Sequence, residues 1–211
     1  MRTLVFDIET GEDRAYTSRD DFLDRLVADC KAPSNWKKQD LIDQEILRQV
    51  TAKRERLALS PATGRVIAIA WGLLDDEQVQ VQTGPEPEIL RAFFNALDGT
   101  RVVLAGFNVR QFDMPFLAVR AAILDIAMPH WWPHARDYRF VADARDVLED
   151  GKLDDWLHRF DLPAKTGSGD QAQHMQPQQL RDYVEHDVRV ERLLLRRLER
   201  ALPAIRDNRN A

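Results

Sequence analysis

The chain opens on an apolar run, Thr3-Leu4-Val5-Phe6, that reads as a buried strand beginning almost at the first residue. A second run, Val66-Ile67-Ala68-Ile69-Ala70-Trp71, is rich in β-formers and suits a central strand. Gln78 to Thr83 alternates strictly, the mark of a strand with one face in the core, and Asp75-Asp76-Glu77 ahead of it makes a hairpin. A helix is expected over Glu86–Leu97, ended by Asp98-Gly99, followed by a strand over Arg101–Phe107 and a helix over Met114–Leu124. A short strand at Phe140–Ala142, a helix over Lys152–Phe160 and a last helix from Pro177 to about Leu202 complete the order. Such an order predicts an α/β fold, a mixed five-stranded sheet with helices on both sides. Between the first two strands, residues 18–59 are dense in charge and carry Leu41, Ile42, Ile46 and Val50 at helical spacing, a helical insertion.

At 211 residues the expectation is one domain, 1–211, with that insertion. The net charge of −5 argues against electrostatic gripping of long duplex DNA but does not exclude nucleic acid as substrate, because bound cations would offset an acidic site. The single cysteine, Cys30, cannot form an internal disulfide. No signal peptide or membrane-spanning run is recognisable, so a cytoplasmic setting without a membrane partner is expected.

Three acidic fragments carry the chemistry. Asp7 and Glu9 lie two apart at the end of the first strand, so both project from one face as hard oxygen ligands suited to Mg²⁺ or Mn²⁺. Asp113 ends Asn108-Val109-Arg110-Gln111-Phe112-Asp113 and opens a helix with Pro115 in its first turn, where a carboxylate can cap free N–H groups, reach a metal, or do both. Tyr183 and Asp187, four apart on the last helix, share a face. Each fragment alone has a plain structural reading: a strand end, a helix cap, a surface pair with a packed tyrosine. Their order and carboxylate content together point to divalent-cation chemistry.

The constellation resembles the DEDD superfamily of 3′–5′ exonucleases. Asp7 and Glu9 match its first motif, Asp113 its second and Asp187 its third. The third stands in tyrosine form, because Tyr183 precedes Asp187 by four residues and Asp182 fills the place a histidine form would need. The Asn108–Asp113 segment and Leu59–Ile69 bring the likeness nearest to the exonuclease domains of family B DNA polymerases and their freestanding relatives. That resemblance implies a ribonuclease-H-like fold and two divalent cations. It implies that Asp7 bridges both, Glu9 and Asp187 complete one site, Asp113 holds the second ion through water, and Tyr183 positions the attacking water. It further implies a single-stranded or frayed 3′ end as substrate, DNA favoured over RNA, with Thr10, Asn108, Phe112 and Lys165 near the strand.

Other features carry two readings each. Lys165-Thr166-Gly167-Ser168-Gly169 is either a plain interhelical loop or a phosphate contact, without the Walker pattern. Trp131-Trp132 either packs on the domain or stacks bases. Arg189, Arg192, Arg196 and Arg197 read as a solvated face interrupted by Glu191 and Glu199. The insertion offers an apolar stripe for a protein partner or for self-association. A noncatalytic nucleic-acid-binding or docking module of the same fold is the competing function, which intact carboxylates disfavour.

Overall fold

The computed structural model describes residues 1–134, 136–167, 169–202 and 204–205, and for Asp170 the backbone alone. In chain order the strands are β1 (Thr3–Glu12), β2 (Gly64–Leu73), β3 (Gln80–Thr83), β4 (Val103–Gly106) and β5 (Val141–Asp143). The helices are α1 (Arg14–Thr17), α2 (Asp20–Ala28), α3 (Gln39–Glu55), α4 (Glu86–Leu97), α5 (Asp113–Ile123), α6 (Arg145–Leu148), α7 (Leu153–Arg159), α8 (Gly169–Ala172) and α9 (Pro177–Leu198). Two compact units result: Met1–Glu9 with Val66–Ala211, and Thr10–Arg65.

The first unit holds the five-stranded sheet, ordered β3-β2-β1-β4-β5. β1 runs parallel to β4 with Val5 opposite Ala105, β4 parallel to β5, and β2 antiparallel to β3. Leu74 N–H donates to Thr3 O at 2.9 Å, so the end of β2 meets the start of β1. The mixed α/β sheet expected from the sequence is therefore the one observed.

Strand alternation divides the core in two. Leu4, Phe6, Ile8, Ile69, Leu104 and Val141 face Ile89, Phe93 and Leu97 of α4 and Met114 and Leu117 of α5. On the opposite face Val5, Ala68, Ala70, Ala105 and Ala142 meet Leu180, Val184, Val188 and Leu195 of α9 and Leu157 of α7. Four alanines make a shallow floor, which lets the long helix lie close to the sheet. Gly99, at φ 70°, terminates α4 in the left-handed region that glycine tolerates.

The reading of the α9 arginines as a solvated face is corrected here. Arg192 is buried and not solvated: its guanidinium donates to the carbonyls of Asp76 (2.9 Å) and Gln78 (2.5 Å). Arg196 donates to Leu74 O and Arg189 to Glu77 O, so three arginines of α9 clasp the β2–β3 turn. These partners lie more than a hundred residues away in sequence, where no local pattern reveals them. Trp131 and Trp132 pack: Trp131 Nε1 donates to Leu97 O at 3.2 Å, and Trp132 meets Phe93 and Phe94 edge-on.

In the second unit α2 and α3 pack on each other. Gln49 exchanges hydrogen bonds with the backbone of Lys31, and Lys53 donates to Asp29 O. Neither helix buries a residue completely, and Leu41 and Leu47 of α3 are exposed. Cys30 is free and buried. Among the described residues, no helix is long and apolar enough to cross a membrane.

Candidate metal centre

Asp7 follows Val5 by two residues on β1 and so projects to the face covered by α9. Glu9 follows on the same side. Helix α9 brings Asp187 from above, and one ligand oxygen from each of Asp7, Glu9 and Asp187 lies within 4.8 Å of the others. Asp187 is fully buried and Glu9 is 6% exposed, while Asp7 keeps partial access to water.

Tyr183 stands one turn before Asp187, with its hydroxyl buried and without a hydrogen-bond partner among the described residues. Lys165 Nζ sits 2.7 Å from Asp187 Oδ2 and 5.4 Å from the Tyr183 ring centre. Lys165 and Asp187 form a close charge pair inside the cluster. Lys165 thus faces the carboxylates. Ser168 of its loop lies outside the described residues, and Gly169 already opens α8.

Asp113 is buried at the first turn of α5 but makes no side-chain cap at the N-cap position. Its Oδ1 accepts from the N–H of Ile8 at 3.1 Å, between Asp7 and Glu9. The carboxylate therefore ties α5 to β1 and stands beside the acidic cluster. Asn108, at φ 69°, turns the chain out of β4; its N–H donates to Asp143 Oδ1 at 2.8 Å. Phe112 packs on Phe116, and Thr10 is buried in the second unit.

Sequence reasoning passed over Asp143 and read Glu191 only as a break in an arginine face. Asp143, buried at the end of β5, accepts from the N–H groups of Asn108, Arg110 (2.9 Å) and Arg145 (2.9 Å), and so shapes the loop that delivers Asp113. Asp143→Ala is expected to cost ~3 kcal/mol, since it strands one buried and two part-buried donors at ~1–3 kcal/mol each. Urea unfolding measures it; a loss under about 1 kcal/mol refutes the assigned role. Glu191 is buried on α9 instead of interrupting a solvated face. The one signal for it was its spacing of four from Asp187, which puts both on one side of the helix.

Burial, and then the neighbouring Asp187, push the Asp7 carboxyl up to about 7, against the pull of Lys165. Glu9 and Asp113 are driven well above the carboxylate range by burial and by Asp7. Burial also raises Asp187, although Lys165 opposes it, and raises the Tyr183 phenol. Burial alone would lower Lys165, but Asp7 and Asp187 outweigh it and hold the ammonium charged.

A carboxyl whose pKa is higher folded than unfolded stabilises the fold at low pH and loses that contribution as pH rises through the folded value. For Asp7 that window runs from its ordinary 3.8 to about 7. Metal-free protein is expected to lose more thermal stability between about pH 5 and about pH 8 than Asp7→Asn does. Parallel melting curves for the two proteins would contradict this.

The donor set fits divalent cations. Hard carboxylate oxygens converge, one buried oxygen has no protein partner, and a buried phenol stands beside them.

The mixed five-stranded sheet is similar to the ribonuclease-H-like fold of PolB exonuclease domains. Residues 59–163 match the family model described as a predicted 3′–5′ exonuclease related to the exonuclease domain of PolB. Over that segment the chain is similar to these PolB-related exonuclease domains. The family B DNA polymerase from the hyperthermophilic archaeon Pyrobaculum calidifontis is a structural neighbour, with TM-score 0.61 and 18% identity over 94% of this chain and 24% of that one. The chain thus spans about a quarter of the polymerase's length. No curated protein matches it significantly. The family match contains Asp113; Asp7, Glu9, Tyr183 and Asp187 lie outside it and are argued from geometry.

Proposed function

We propose that the chain is a metal-dependent 3′–5′ exonuclease acting on single-stranded or frayed 3′ ends. The observation that carries this reading is the convergence of Asp7 and Glu9 from β1 with Asp187 from α9, remote in sequence, to within 4.8 Å. Asp7, Glu9 and Asp187 would hold one divalent cation, and Asp7 with Asp113 a second. When bound, the cations supply an acidified water and stabilise charge on the leaving 3′-oxygen. Tyr183, one turn before Asp187, would orient that water against the phosphorus. Lys165, with its Nζ 2.7 Å from Asp187 Oδ2, would offer its ammonium to the phosphodiester. Asp113 fixes the β1 backbone through Ile8, which keeps Asp7 and Glu9 aimed together.

Beside Tyr183 opens a cleft of about 690 Å³, lined in part by Thr166, Gln171, His174, Met175 and His186. Its mixed polar and apolar wall suits unpaired nucleotides and supports a strand end as substrate. The structural neighbour is a DNA polymerase, which favours DNA over RNA.

The test is digestion of a 5′-labelled single strand with Mg²⁺ or Mn²⁺. Stepwise shortening from the 3′ end with release of mononucleotides is expected, faster on DNA than on a matched RNA. Internal cuts alone, or no cleavage with either ion on either nucleic acid, would reject the reading.

A further inference from the structure

One more acid approaches the centre. Glu191 follows Asp187 by one turn of α9, is 3% exposed, and its Oε2 has no hydrogen-bond partner among the described residues. A side chain at Gly106 would come within 3.2 Å of that oxygen and 2.8 Å of Phe6 O. Glycine at the end of β4 therefore leaves the room that the Glu191 carboxyl uses, next to the strand that carries Asp7. Asp7 is the charge that acts on Glu191 most strongly, followed by Asp113.

A buried acid kept for structure looks different in this protein. Glu86 is also buried, but its carboxylate accepts from Val66 N–H (2.8 Å) and from both Nε (2.9 Å) and Nη2 (2.6 Å) of Arg120. Glu191 has no such set, and Arg192 beside it is committed to the β2–β3 turn. An unsatisfied buried carboxyl is costly unless a donor arrives from outside the protein. Water carried by cations at Asp7 is such a donor.

We propose that Glu191 is a positioning residue of the metal centre, accepting hydrogen bonds from the water shell of the bound cations behind Asp7. The inference rests on reading the site as a divalent-cation centre.

Mn²⁺ binding to the full chain, measured by calorimetry without nucleic acid, tests it. Glu191→Gln is expected to weaken Mn²⁺ affinity roughly 10–100-fold, the usual effect of losing an outer partner, while the melting temperature of the metal-free protein does not fall. Asp7→Asn serves as reference. Binding by Glu191→Gln within about twofold of wild type, with Asp7→Asn impaired, overturns the Glu191 assignment alone. Absence of Mn²⁺ binding by wild type overturns the metal-centre reading and this inference together. Should the Gln variant not fold, Glu191→Asp withdraws the carboxyl by one methylene; a loss of about threefold or more supports the role, and unchanged affinity rejects it.

Discussion

Asp7→Asn is expected to abolish metal-dependent shortening of a 3′ end while leaving the protein folded and able to bind a single strand. The amide keeps the shape of the side chain but removes the charge shared by both proposed cation sites. Losing several kcal/mol of transition-state stabilisation corresponds, at about 1.4 kcal/mol per tenfold, to roughly 10³-fold or more in rate. Removal of one of several crowded acids also relieves repulsion in the metal-free protein, so lost activity cannot be ascribed to unfolding. Single-turnover digestion of a labelled strand, with fluorescence anisotropy for binding, checks both halves. A variant that cuts within about tenfold of wild type would show that the chemistry lies elsewhere.

The second large effect separates two neighbours on one helix. Asp187→Asn should reduce the rate roughly 10³-fold, for the same reason as Asp7→Asn. Tyr183→Phe keeps the ring in its packed place and removes one hydroxyl; losing a hydrogen bond of ~1–3 kcal/mol predicts only about 10–100-fold. The ordering is the informative result. Equal losses in two folded proteins would mean that Tyr183 does more than orient water, or that Asp187 does less than hold a cation.

The sheet was readable because its signals are local: unbroken apolar runs in β1 and β2, strict alternation into β3, and Asp98-Gly99 closing α4. The carboxylates were readable because two strand positions on one face and a four-residue helical spacing are also local facts. What escaped depends on partners distant along the chain. Asp113 was legible as a helix cap or a metal ligand, but only the folded strand supplies the Ile8 N–H that it accepts from. Lys165 read as a plain loop residue or a phosphate contact, and only folding sets it 2.7 Å from Asp187. The arginines of α9 look solvent-facing when only their own helix is considered, because the carbonyls they clasp belong to a turn formed long before in the sequence. Asp143 carried no motif at all; its role exists only once three backbone N–H groups converge on it.

The alanines beneath α9 set how near that helix can come. Ala68, Ala70, Ala105 and Ala142 touch no substrate and titrate nothing, yet their combined height acts as a spacer between the acids of β1 and those of α9. Thickening the spacer by a methyl or two would raise Tyr183, Asp187 and Glu191 together, as one rigid row. The distance between the two acidic rows is thus written in residues that carry no charge, and tuning the ion preference of the proposed centre would require changes to its foundation before any change to its carboxylates.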